Sequence, residues 1–139
     1  RCCFVKGFAA TLLIGSDFPD LTAEVIEQAF LALEDGQDAV VGPAFDGGYY
    51  LIGFRSDTFD PAVFNGMRWR ENTIFEKTLN RLHARGYRIS LAPAWHDIDT
   101  ENDLANLQAR HVNTPFSRSR TMAFLRNHPT PRAAYRPSP

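Results

Sequence analysis

Along the chain the apolar positions change period, and the changes predict strands and helices in alternation. Residues 10–15 (ATLLIG) are a short apolar run closed by glycine, the pattern of a strand buried on both faces in a parallel sheet. Val25, Ile26, Ala29, Phe30 and Leu33 then recur at helical spacing, with Thr22 placed to cap the start and Gly36 to close the end. Residues 38–42 predict a second strand, and the order strand, helix, strand implies a right-handed parallel crossover. Residues 48–54 (GYYLIGF) are rich in aromatic and branched side chains and predict a third strand, entered through Gly47 and Gly48. A helix starting at Asn72 or Thr73 carries Ile74, Phe75, Leu79 and Leu82 on one face and stops at Gly86, and residues 87–91 predict a last strand. Thr100 and Asp103 form a capping pair that opens a helix running to Ala109.

These elements predict an α/β fold with the 10–15 strand central in a mostly parallel sheet and the 22–34 helix beside it. An antiparallel edge position for that strand would make the fold assignment built on it fail. A chain of 139 residues suits a single core. Charge divides it: residues 1–109 hold 9 basic and all 16 acidic groups, whereas 110–139 hold 6 arginines, no acid and five of the nine prolines. Residues 1–109 are therefore read as the domain, and 110–139 as a basic, Pro-rich tail in which only 117–127 can form a helix. The six arginines are spread out, which points to a solvated or acidic-partner surface and not to nucleic acid. No apolar run approaches the roughly 20 residues of a membrane span. Cys2 and Cys3 are adjacent, too close for ordinary disulfide geometry, and read as incidental thiols of a reducing, cytoplasmic compartment.

Three segments concentrate candidate chemistry. In GSDFPDL, Asp17 falls just past the carboxyl end of a strand, where ligands of open α/β sheets bind, and it is the natural carboxylate for Mg²⁺ or Mn²⁺ beside substrate phosphates. Asp17 and Asp20 also suit loop organisation ahead of a helix. In DGGYY, Gly47 and Gly48 permit close approach of a ligand and Asp46 suits a general base, while Asp46-Gly47 equally describes a hairpin turn. Tyr49 and Tyr50 are expected on opposite faces, one lining the site and one in the core. In HDIDTENDL, Asp97 and Asp99 project to one side and either can supply a second carboxylate, whereas Asp103 is committed to capping. His96 is either a ligand, an acid catalyst or an ordinary hydrogen-bonding residue.

Taken in order, residues 14–21, 46–53 and 97–104 resemble the IGSDxPDL, DGGYYLIG and DxDTxxDL segments of the bacterial glycosyltransferase-like family of nucleotide-diphospho-sugar transferases. The resemblance extends over residues 7–127. It implies a GT-A, Rossmann-like fold, with Asp17 in the DxD-like metal position and Asp99 as the second acid. It also implies glycosyl transfer from a nucleotide-diphospho-sugar to an acceptor, in which Asp46 acts on the acceptor and Gly15, Ser16, Gly47, Gly48 and Tyr49 shape the pocket. Nucleotidyl transfer onto a phosphorylated small molecule uses the same fold and acids, and a non-catalytic interaction module is the third possibility. Family members begin with a strand and a glycine- and basic-rich loop, and nothing like it precedes Gly15, so the chain reads as N-terminally truncated. Phe18 and Asn102 are milder departures. Asp17 and Asp99 are expected within about 4 to 8 Å of each other, the span of one shared ion. Truncation would leave Leu12, Ile14 and the Val25, Ala29, Leu33 helix face uncovered, favouring a homodimer through that edge.

Overall fold

In the computed structural model, which describes residues 2–69 and 72–128, four strands form one sheet in the order β1-β3-β2-β4. The strands are β1 (Ala10–Ile14), β2 (Ala39–Pro43), β3 (Tyr49–Arg55) and β4 (Ile89–Leu91). β3 runs antiparallel to both β1 and β2, while β2 and β4 are parallel. The sheet is thus mixed, and β1 is an antiparallel edge strand, contrary to the central parallel position expected of it. The reason lies in the connection from β2 to β3. Residues 44–48 are five in number, and a parallel return needs a dozen or more, so β3 must fold back beside β2 and present its other edge to β1. β1, β2 and β4 still share one direction.

A single turn of helix, α1 (Cys2–Val5), precedes β1, and α2 (Ala23–Glu34) follows it. α2 starts after Thr22 as the pattern predicts, although the threonine side chain makes no capping hydrogen bond. Its Ala29 and Leu33 pack with Val40, Tyr50 and Leu51 on one face of the sheet. On the other face α3 (Ile74–His83) and the short 3-10 turn Pro61–Phe64 bring Leu82 and Val63 against Ala39, Val41, Ile52 and Phe54. Full burial of each such aliphatic side chain stabilises by about 1.5 to 3 kcal/mol. Ala29 and Leu33 are therefore in the core and not uncovered. Ile14 is exposed as expected, at 46%, beside Leu13 at 70%, whereas Leu12 is partly covered.

The described chain divides into two compact units, residues 1–97 and 98–139. In the second, α4 (Glu101–Arg110), the 3-10 turn Pro115–Arg118 and α5 (Arg120–Asn127) share a small core of Leu107, Met122 and Leu125. Within this unit α4 thus packs with the tail segment. Thr100 and Asp103 form the predicted capping box. The last prolines of the tail, beyond residue 128, lie outside the described residues. No described helix is long and apolar enough to cross a membrane.

Candidate functional site

Because β1, β2 and β4 point one way and β3 the other, the loops after β1, β2 and β4 gather at a single end of the sheet. Backbone hydrogen bonds tie them there: Gly15 N donates to Tyr50 O (2.8 Å), Trp95 N to Pro43 O (3.0 Å) and Phe45 N to Trp95 O (3.2 Å). Two of the three motif segments, residues 15–21 and 44–48, meet at this end together with residues 92–97.

A bulge shapes it. Gly42 pairs with Leu51 and Pro43 with Tyr49, so Tyr50 is the extra residue of β3. A bulge turns two successive side chains toward one face, and Tyr50 and Leu51 both join the α2 side while Tyr49 packs on the α3 side. Tyr50 is 1% exposed, donates its hydroxyl to Pro93 O (3.0 Å), and lies between Phe18 and Trp95 at ring separations of 5.4 and 6.1 Å. A Cβ at Gly42 would stand 2.6 Å from the Tyr50 ring, so this aromatic position depends on the glycine. Trp95 in turn donates its indole N–H to Asp20 (2.9 Å), which is buried. Of the two acids in the first motif, Asp20 is the structural anchor.

Ser16 and Asp17 are exposed at the edge of this framework, one and two residues beyond the partly covered Gly15. Asp46 is also exposed, and its Oδ1 accepts the Gly48 N–H at 2.8 Å, the local turn expected of an Asp-Gly pair. Gly47 has φ +90°, and a Cβ there would fall 1.9 Å from Asn72 O. Only glycine fits that approach. Its own carbonyl accepts the Phe75 N–H, fixing the turn to the start of α3. Tyr49 is half-buried against the α3-face core, and burial pushes its phenol up from the ordinary value; Tyr50 is raised for the same reason. Both tyrosines therefore pack inward, on opposite faces.

Asp99 belongs to the second unit, where it is exposed and its backbone N–H donates to Asp103 (3.3 Å). Its pairing with Asp17 rests on the sequence resemblance alone. Among the described residues no group of three or more His, Cys, Asp or Glu side chains is gathered to hold a metal ion. The described residues thus offer no all-protein cage, and the exposed Asp17 fits the other kind of site, in which one or two carboxylates share a Mg²⁺ or Mn²⁺ with substrate phosphates.

The pattern missed three contributors: the Asp20–Trp95 bond, the Gly42–Tyr50 fit and a stacked pair of Phe45 and His96, with centroids 4.0 Å apart and planes at 17°. Only the last had a signal, a large aromatic placed at a hairpin tip. The fold and site define an α/β protein in which Asp17 and Asp46 stand exposed on loops at the carboxyl ends of its co-directional strands. The chain belongs to a family described as uncharacterized protein conserved in bacteria (DUF2064), whose model matches residues 1–71, just over half of its length. It is similar to the crystal structure of a protein from Desulfovibrio desulfuricans G20 provisionally named a nucleotide-diphospho-sugar transferase. The TM-score is 0.88 and the identity 42%, over 91% of this chain and 55% of that one. The chain thus shares that protein's fold while spanning little more than half its length. No protein of curated description matches the chain.

Proposed function

We propose that the carboxyl-end pocket is the site of a GT-A-type transferase that moves a glycosyl group from a nucleotide-diphospho-sugar to an acceptor. The observation that carries this reading is the convergence of exposed Asp17 and exposed Asp46 at one end of the sheet, each on a glycine-containing loop. The likeness to the Desulfovibrio protein supports it. The sheet is not the mostly parallel one that the GT-A resemblance implied, since β1 is an antiparallel edge strand, and the reading leans instead on the likeness to the Desulfovibrio protein.

In this reading Asp17, with Asp99 as the second acid by resemblance, faces the diphosphate. These residues would hold a Mg²⁺ or Mn²⁺ ion, which would stabilise the charge that builds on the leaving group. Asp46 uses one oxygen to hold the turn, and its other oxygen orients the acceptor hydroxyl and takes its proton as the acceptor oxygen bonds to the anomeric carbon. The anomeric carbon parts from the phosphate oxygen in the same step, releasing a nucleoside diphosphate. Gly15, Ser16, Gly47 and Gly48 leave the backbone open to the substrate, and Tyr49 backs the loop from the core.

Incubation with nucleotide-sugars, Mn²⁺ and a panel of hydroxyl acceptors tests the proposal, with release of nucleoside diphosphate as the expected product. Release of pyrophosphate from a nucleoside triphosphate and a sugar phosphate, without nucleoside diphosphate, would instead assign nucleotidyl transfer.

A further inference from the structure

The stacked pair at the hairpin tip is unexplained by the core. Phe45 retains 62% exposure although one side of its ring lies on His96, and neither residue belongs to a core cluster of the sheet. Two separate loops hold the pair in place: the β2–β3 turn carries Phe45, the segment after β4 carries His96, and the Phe45 N–H to Trp95 O bond of 3.2 Å joins them. A bridge between Ala44 and Trp95 fixes the same register one residue earlier. An aromatic ring left open in this way exposes apolar surface at a point where backbone bonds make it rigid. Such a surface contributes contact energy at little ordering cost.

Asp46, the next residue, supplies what the rings lack. Its exposed carboxylate is acceptor-only, with one oxygen held by the Gly48 N–H and a second oxygen able to accept. A flat apolar face beside a fixed acceptor matches a pyranose ring, which has a C–H face to lie on an aromatic and hydroxyls around its rim to donate to a carboxylate. A nucleobase also stacks, but its ring donors lie in its own plane and it has no use for a general base.

We propose that Phe45, backed by His96 and flanked by Asp46, is a sugar-binding platform that seats a hexose ring at the carboxyl-end pocket. This rests on the glycosyl-transfer reading of that pocket, and the same chemistry serves the glycosyl group of the donor or a sugar acceptor. The test is NMR titration of the whole chain, following the His96 ring protons and the Phe45 ring, with methyl hexosides, with a uridine diphosphate-hexose and with uridine diphosphate alone. The wild type is expected to shift with a hexose-bearing ligand. Phe45→Ala should weaken that binding about tenfold and Phe45→Trp should keep it, while binding of the nucleoside diphosphate alone stays unchanged in both. Phe45 is exposed, so unaltered thermal melting of the variants accompanies the expected result. Dependence seen with methyl hexosides assigns the platform to the acceptor, and dependence seen only with the nucleotide-hexose assigns it to the donor sugar. Hexoside binding without any nucleotide binding would uphold the platform and sink the transfer reading. Nucleotide binding with no hexose-dependent shift, or equal hexose affinity in wild type and Phe45→Ala, would overturn the platform.

Discussion

At the end of the sheet where β2 and β4 begin, carboxylates meet arginines, whereas at the end where they finish, Asp17 and Asp46 do not. Asp38 accepts the Arg88 backbone N–H at 2.8 Å and its guanidinium at 3.3 Å, Arg85 reaches Asp60 at 3.3 Å, and Arg55 is paired with Asp57. The Arg88 side chain holds the Asp38 carboxyl below the usual carboxylate range, and Arg55 does the same to Asp57. Asp17 and Asp46 are exposed, and no basic side chain of the described residues is bonded to either. The difference separates two uses of one residue type. Acids at the first end tie the strand starts together, whereas at the second Asp17 and Asp46 stay exposed to solvent. Beside the backbone bonds, what holds the second end is the aromatic set Phe18, Tyr50 and Trp95, with Asp20 as a buried polar anchor.

That division breaks first at the aromatic framework. Gly42→Ala places a methyl group 2.6 Å from the ring of Tyr50, which is buried, hydrogen-bonded to Pro93 and unable to move aside. The expected loss is about 3 kcal/mol of stability, read from urea denaturation of the whole chain. A loss below about 0.5 kcal/mol, the size of an ordinary surface substitution, would mean that the bulge does not depend on the glycine.

The paired end gives a smaller effect with a pH signature. The Asp38 side chain is 16% exposed and accepts both a backbone and a side-chain donor, so Asp38→Asn should cost about 1 kcal/mol at neutral pH. A carboxyl with its folded pKa depressed contributes stability that is present above its unfolded value near 3.9 and is lost as pH falls through the folded one. The gap between wild type and Asp38→Asn, measured by urea midpoints, should therefore hold from neutral pH to about pH 5 and close below pH 4. A gap that widened on acidification would contradict the pairing.

Much of this was legible in the chain. Helical spacing located α2 and α3, the Thr100–Asp103 pair marked the start of α4, and the glycine-terminated apolar run marked β1. The error over the sheet came from treating strand type as a property of each run. ATLLI is as apolar as a buried parallel strand, but its neighbour is decided by the five-residue turn at Ala44–Gly48, which forces β3 back and between β1 and β2. That length was visible and decisive. The Asp46-Gly47 turn and the Asp17 position were likewise readable from local chemistry. The Asp20–Trp95 bond joins residues 75 apart and carries no local pattern, and the Gly42–Tyr50 fit depends on a bulge. The grouping of α4 with α5 was hidden by charge, because Leu107, Met122 and Leu125 make a core too small to stand out against the surrounding arginines.

The smallest expected effect is the most discriminating. Asp17 is exposed, and Asp17→Asn preserves shape while removing one negative charge from a site without a bonded cation among the described residues, so folding stability should change by less than about 0.5 kcal/mol. The substitution removes neither a buried contact nor an ion pair, and it relieves whatever repulsion Asp46 exerts across the pocket. If Asp17 faces a diphosphate-bound ion, however, Mn²⁺-dependent binding of a nucleotide-sugar should fall by about 100-fold in calorimetric titration, since a neutral amide is a poor ligand for a hard divalent cation. Stability and binding are thus expected to part at Asp17 and to move in the opposite sense at Asp38, where Asp38→Asn lowers stability and leaves nucleotide-sugar binding intact. A destabilisation above about 1 kcal/mol in Asp17→Asn would show that this acid is held by the fold after all, and the contrast between the two ends would lose its basis.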